Sequence, residues 1–190
     1  MSDYFTDDTL ANKLGILDPA QFKEIEQRMV AEKSAHLLNS DVPDELGEAF
    51  FKHIHGVLFD ELYDFAGNYR TVDITKHESS TPFAYARFLG SESQRIFDEL
   101  RAANYFKECT SEQFIVAISN LASELNALHP FREGNGRVIR LYLILLAYYA
   151  GYLLDYSRVS TNELINADIR AFEGNDEPLL KVYQKITIKV

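Results

Sequence analysis

The chain has 190 residues, 46% apolar, 13% aromatic and 25% charged, which is enough to bury one sizeable core and too hydrophobic to stay disordered. A formal net charge of −10 argues against gripping nucleic acid through its phosphates, which takes a basic surface, and points to a protein partner or a nucleotide with its metal. The lone Cys109 cannot form an internal disulfide, so a reducing compartment, the cytoplasm, is expected; the start Met1-Ser2-Asp3-Tyr4 lacks a signal peptide's basic and apolar regions, and the apolar stretch 141–150 is far shorter than the roughly 20 residues a bilayer requires.

We expect a single domain over 1–190. Residues 1 to about 17 are acidic and without a clear period, and read as an irregular arm. Asp18-Pro19 supplies a helix cap and a first-turn proline, and Phe22, Ile25 and Met29 follow at helical spacing, so a helix is predicted over 19–38. Asn39 to Pro43 breaks that pattern. From Asp44 a second helix runs to about Phe59 through Leu46, Phe50, Ile54 and Val57; His53 and His55 fall two apart on it, on different faces, and read as surface or core residues without a shared metal. The aromatic turn 62–70 contains Gly67 where a helix could stop, and its Tyr63, Phe65 and Tyr69 read as core packing. Two short extended pieces around 71–75 and 81–84 predict a small hairpin.

Helical spacing returns over about 86–104. It is clearest after Thr110 and Ser111, where Phe114, Ile118, Leu121, Leu125 and Leu128 repeat at four and three and deliver His129 to the end of a buried helix. The run from Val138 to Leu146 is apolar nearly all round and predicts a central helix ending near Gly151. Ser160 with Glu163 fits a capping box for a helix to about Phe172, and Asp176 is expected to cap a last helix through Leu179, Leu180, Tyr183 and Ile186.

The chemistry concentrates in His129-Pro130-Phe131-Arg132-Glu133-Gly134-Asn135-Gly136-Arg137, with Arg140 three residues on. Gly134 and Gly136 are expected at positive φ around an Asn135 that tolerates the left-handed backbone, forming an anion-binding nest at the N-terminus of the following helix. Glu133 can supply the single carboxylate that Mg²⁺ often takes beside a nucleotide. Arg137 and Arg140 share a helix face and could both reach a polyphosphate. His129, of a residue type whose unperturbed pKa lies near 6.5, can take a proton from an attacking hydroxyl, and Phe131 is expected to anchor the loop in the core.

This run resembles the signature of Fic-domain proteins, enzymes that commonly transfer AMP from ATP to a protein hydroxyl. Chance agreement at eight specified positions is on the order of one in a hundred million for a chain of this length. Leu58-Phe59 through Asp64-Phe65-Ala66-Gly67 and Arg70 resembles that family's second landmark, and the likeness extends over about 45–190. The resemblance implies a mainly α, Fic-type helical bundle with a small β-hairpin flap. His129 would be the general base and Glu133 the Mg²⁺ ligand. Gly134, Asn135 and Gly136 would cradle phosphates, and Arg137 and Arg140 would hold the outer phosphates of ATP. Val72, Asp73, Ile74, Thr75, Pro82 and Phe83 would form the flap that aligns a target segment carrying a Tyr, Thr or Ser hydroxyl.

Many members carry an inhibitory helix with Ser or Thr, three residues, Glu, then Gly or Asn. In this sequence only Glu133 and Glu173 precede Gly or Asn, and His129 and Ile169 stand four residues before them, so neither fits. The resemblance therefore implies restraint by a separate small antitoxin protein. Two rivals are a phosphotransferase, which in the family has lysine where Gly136 stands, and a catalytically silent interaction module.

Overall fold

The structure, a computed structural model, describes residues 5–6, 9–74 and 83–190. Helices dominate, and three of them begin at a side chain that accepts a free first-turn amide. α1 (Pro19–Leu38) starts at Asp18, whose carboxylate accepts the Gln21 amide at 2.7 Å. α2 (Glu48–Phe59) starts four residues later than the spacing predicts. The reason is that Asp44 and Leu46 spend their carbonyls on the Tyr149 and Tyr142 hydroxyls instead of on a helix turn. A single 3₁₀ turn, Ala86–Phe88, leads into α3 (Leu89–Ala102). α4 (Ser111–Leu128) opens with a full capping box between Thr110 and Gln113.

α5 (Asn135–Tyr149) is the centre of the bundle, with Val138, Leu143 and Leu146 wholly enclosed. Around it α2, α3 and α4 turn their apolar faces inward. Phe51 is the shared contact, with ring centroids 5.5 Å from Phe97, 5.3 Å from Phe131 and 5.2 Å from Tyr142. α6 (Thr161–Phe172) and α7 (Glu177–Ile186) close the far side of α4.

Several local expectations change. The arm is not wholly irregular, because Phe5–Thr6 (β1) and Thr9–Leu10 (β2) pair antiparallel. A second antiparallel pair, Tyr152–Leu154 (β3) with Thr187–Lys189 (β4), joins the end of α5 to the end of α7. Three-residue strands are too short to show alternation in a sequence. The box at Ser160 is only half made: its hydroxyl accepts the Glu163 amide, but the Glu163 carboxylate reaches Lys185 instead. Asp176 does not cap α7 with its side chain. It accepts the Ser123 hydroxyl, tying α7 to α4, and Asn175 takes the Glu177 amide. Of the expected hairpin, residues 75–82, Thr75 and Pro82 among them, lie outside the described residues, and its described ends, 71–74 and 83–84, are without strand pairing.

Candidate active site

The loop from His129 to Gly134 spans the gap between the C-terminus of α4 and the N-terminus of α5, and Arg137 and Arg140 follow on the first turns of α5. His129 is the residue at which α4 ends, in left-handed backbone with φ 43. Its Nδ1–H points to the Asn126 carbonyl at 3.3 Å, which fixes Nε2 as the basic nitrogen. Its ring lies flat against Phe83, centroids 3.8 Å apart and 12° from parallel. Phe131 is fully enclosed and stacks on His55 at 3.9 Å.

The glycine turn differs from its expected form. Only Gly134 is left-handed, with φ 78, and its position is also sterically forced, since a Cβ there would lie 2.4 Å from the Phe59 ring. Asn135 is the first residue of α5, and Gly136 is helical with it. What Asn135 contributes is its side chain: Oδ1 accepts the Phe131 amide and Nδ2 donates to the Phe131 carbonyl, both at 2.8 Å. It closes the loop as a backbone-mimicking clip, a role its tolerance of left-handed backbone does not suggest. The amides of Asn135 and Gly136 form no hydrogen bond among the described residues and remain as first-turn donors of α5. The turn expected to bind an anion is therefore a helix N-terminus preceded by one left-handed glycine.

Glu133 is exposed. Its Oε1 accepts the Gly134 amide at 2.8 Å and meets Arg137 Nη2 at 3.2 Å. Arg137 Nη2 is shared with Glu26 of α1 at 3.0 Å, and Tyr63 donates its hydroxyl to the same Glu26 oxygen at 3.1 Å. Arg137 lies over the Phe59 ring at 4.8 Å, and its Nε and Nη1 make no hydrogen bond among the described residues. Arg140 forms no ion pair among them. Glu26, Tyr63, Glu133, Arg137 and Arg140 line one cavity of about 550 Å³, walled on its other side by α1. Burial, and next the Glu26 carboxylate, push the Tyr63 phenol well above its ordinary pKa.

No group of three His, Cys, Asp or Glu side chains stands ready for a metal among the described residues. The exposed Glu133 carboxylate at this cavity fits Mg²⁺, an ion that often takes one or two protein carboxylates and completes its shell with water and substrate phosphates.

Two buried side chains hold the loop from behind. His55 accepts the Gly67 amide on Nδ1 at 2.8 Å, so its proton sits on Nε2, which donates to the Glu133 carbonyl at 3.2 Å. Burial lowers its pKa to about 4, partly offset by the Glu133 carbonyl and reinforced by Arg137. Arg70 donates from its backbone to the Pro130 carbonyl at 2.8 Å and from Nε to the His129 carbonyl at 2.9 Å.

Of the expected flap, Val72 and Ile74 are half-buried, and exposed Asp73 accepts the Ala86 amide at 2.6 Å. Phe83 is buried against His129, whereas Thr75 and Pro82 lie outside the described residues. Of the residues expected to act together, Glu133, Arg137 and Arg140 line one cavity, and His129 stands outside its lining, at the C-terminus of α4. The sequence reading missed Glu26, which lies 111 residues from Arg137, and the bonding of His55; no local pattern marks either.

Comparison with known proteins identifies relatives of this sequence and of this fold. The Fic/DOC family model matches residues 45–147. The chain is 36% identical over 172 residues to "Probable protein adenylyltransferase y4lH" of Sinorhizobium fredii, covering 90% of this chain and 86% of that protein. It is 34% identical over 179 residues to "Protein adenylyltransferase VbhT" of Bartonella schoenbuchensis, covering 93% of this chain but 37% of that longer protein. The fold superposes with a TM-score of 0.95, at 26% identity, on the N-terminal Fic domain of a Bartonella quintana effector with bound ADP, covering 98% of this chain and 95% of the other. It also superposes on BepC of Bartonella tribocorum with bound AMPPNP, at TM-score 0.92 and 25% identity, over 99% and 97% of the two chains. No described helix is long and apolar enough to cross a membrane. With the loop, its supporting landmark at 58–70 and the helical bundle all in agreement, the chain belongs to the Fic/DOC family.

Proposed function

We propose that this chain transfers AMP from ATP to a hydroxyl side chain of a protein substrate. The observation that carries the reading is the placement of a tautomer-fixed His129 at one end of a loop whose other end presents Glu133, Arg137 and Arg140 to a single cavity. His129 Nε2 takes the proton of the target hydroxyl as its oxygen attacks the α-phosphorus. The bond from that phosphorus to the oxygen bridging to the β-phosphate breaks, and pyrophosphate leaves with the electron pair. Arg137, anchored through Nη2, has Nε and Nη1 for the outer phosphates, and Arg140 adds a second guanidinium. The amides of Asn135 and Gly136 meet phosphate oxygens at the positive end of α5. Glu133 would hold Mg²⁺, which when bound neutralises phosphate charge.

Gly136 supports AMP transfer over passage of a terminal phosphate. A side chain there would begin 3.2 Å from Arg140 Nη1, so it would crowd a guanidinium that the AMP-transfer reading assigns to the outer phosphates. Restraint by a separate antitoxin is the second part of the reading, supported by the missing inhibitory motif and by an Arg140 with no internal carboxylate among the described residues. A partner's glutamate on Arg140 would compete with an outer phosphate.

Incubating the chain with a bacterial lysate, Mg²⁺ and ATP labelled at the α- or the γ-phosphate tests the reaction. Label on a protein from α-ATP alone supports it, γ-label alone overturns it in favour of phosphotransfer, and no label favours an interaction module. Overproduction of residues 1–190 should harm a bacterial host, His129→Ala should relieve the harm, and so should co-expression of a small inhibitory partner.

A further inference from the structure

Arg70 is 5% exposed and has no carboxylate within ion-pairing distance among the described residues. A guanidinium buried in this way is costly unless its donors are filled, and here every contact is a backbone carbonyl. Nε donates to His129 and Nη2 to Leu128 at 3.4 Å, the two carbonyls exposed where α4 stops. Nη1 donates to Val72 at 2.8 Å and Nη2 also to Ala84, one carbonyl from each stem of the flap. The stems are tied to the same place by independent bonds. The Ala84 amide donates to the Ala127 carbonyl at 3.1 Å, Asp73 accepts the Ala86 amide, and Phe83 stacks on the His129 ring.

A helix end alone needs far less than this, since a polar side chain or a water would satisfy two carbonyls. What only a planar fork can do is fix several acceptors in one plane and relative to one another. We propose that Arg70 is a positioning residue which couples the base to the flap: a single guanidinium sets both where His129 sits and how far apart the flap stems stand, so that the target hydroxyl meets Nε2 in register. The proposal rests on the AMP-transfer reading for its kinetic consequence but not for its structural one.

The test compares wild type with Arg70→Lys, which keeps the charge and loses the fork. Transfer to the labelled target should fall tenfold or more in kcat/KM, chiefly through a higher KM for the target protein, while ADP affinity stays within twofold. Amide exchange should accelerate at Ala84 and Ala86 and stay unchanged within α4. A folded Arg70→Lys chain with unaltered target KM and unaltered exchange at Ala84 overturns the coupling. So does a fall in ADP affinity in step with kcat/KM, which would mark general damage. If Arg70→Lys does not fold, exposed Asp73→Ala unties the stems without emptying a buried charge and should raise target KM in the same sense; an unchanged KM there overturns it. If wild type transfers no label, the AMP-transfer reading fails, and the exchange of Ala84 alone decides the coupling.

Discussion

The two sides of the His129–Arg140 segment are built from different kinds of bond. On the proposed phosphate side, the carboxylates of buried Glu26 and exposed Glu133 both pair with Arg137 through its single Nη2. On the base side, Arg70 and Asn135 bind main-chain atoms, and Phe83 covers the imidazole. Charged side-chain pairs can exchange partners when an anion arrives, because the ligand supplies the same kind of acceptor they give up. Bonds to carbonyls have no such competitor and keep their geometry through a reaction cycle. The contrast teaches that, on the proposed reading, the site is adaptable where it would meet phosphate and fixed where it would meet the hydroxyl.

The sharpest way to break the comparison is at the base. His129→Ala should lower kcat by about 10²–10⁴ and leave ADP binding largely unchanged, measured by label transfer and calorimetry. Equal losses in both would show the two sides to be one unit. Arg140→Ala should behave oppositely, weakening nucleotide binding by roughly tenfold to a hundredfold, as expected for a lost charge-assisted bond of about 1.5–3 kcal/mol. Unchanged nucleotide affinity would remove Arg140 from the phosphate side.

His55 joins the two sides, and pH separates its contribution. Its folded pKa of about 4 lies below the ordinary 6.5, so the unfolded chain takes up its proton first. Stability from this group is constant above pH 6.5, falls as pH drops towards 4, and levels off below; the loss is at most roughly 3 kcal/mol. Urea unfolding at pH 7 and pH 4.5 should show that drop, and it should shrink in His55→Gln. A smaller effect is expected on the phosphate side from Glu26→Ala. This leaves the Tyr63 hydroxyl buried without its acceptor, at a cost of about 1–3 kcal/mol in chemical denaturation. The exposed pair Lys181–Glu177 sets the lower limit: Lys181→Ala should change stability by about 0.5 kcal/mol or less.

The helices were legible because their apolar stripes face one core: the stripe from Phe114 to Leu128 and the all-round apolar run of α5 are what a buried bundle requires. The reacting groups were legible because they are contiguous in the chain. What the sequence hides is bonding at a distance and the choice between two properties of one residue. Asn135 suits left-handed backbone and also makes side-chain clips, and only the neighbouring Gly134, pressed against Phe59, decides that the glycine takes the turn and the asparagine takes the clip. Glu26 lies on α1 amid other acids, and nothing local separates it from the solvated Glu24. β3 and β4 form because the end of α7 returns beside the end of α5, a tertiary event that three residues cannot announce.

The clip at Asn135 also bears on chemical ageing. An asparagine followed by glycine is prone to attack by the glycine's amide nitrogen on the side-chain carbonyl carbon, which closes a five-membered imide and releases ammonia. In the folded chain both polar atoms of that side chain are held by Phe131, and Gly136 stands in the fixed backbone of the first turn of α5. The native protein is therefore protected at its most vulnerable dipeptide, and the unfolded chain is not. Hydrolysis of the imide to aspartate or isoaspartate replaces the donor to the Phe131 carbonyl with an acid and, in the iso form, lengthens the backbone by one methylene within the loop. Time spent denatured should erode the ability to refold an intact loop, while the same interval in the native state leaves it whole.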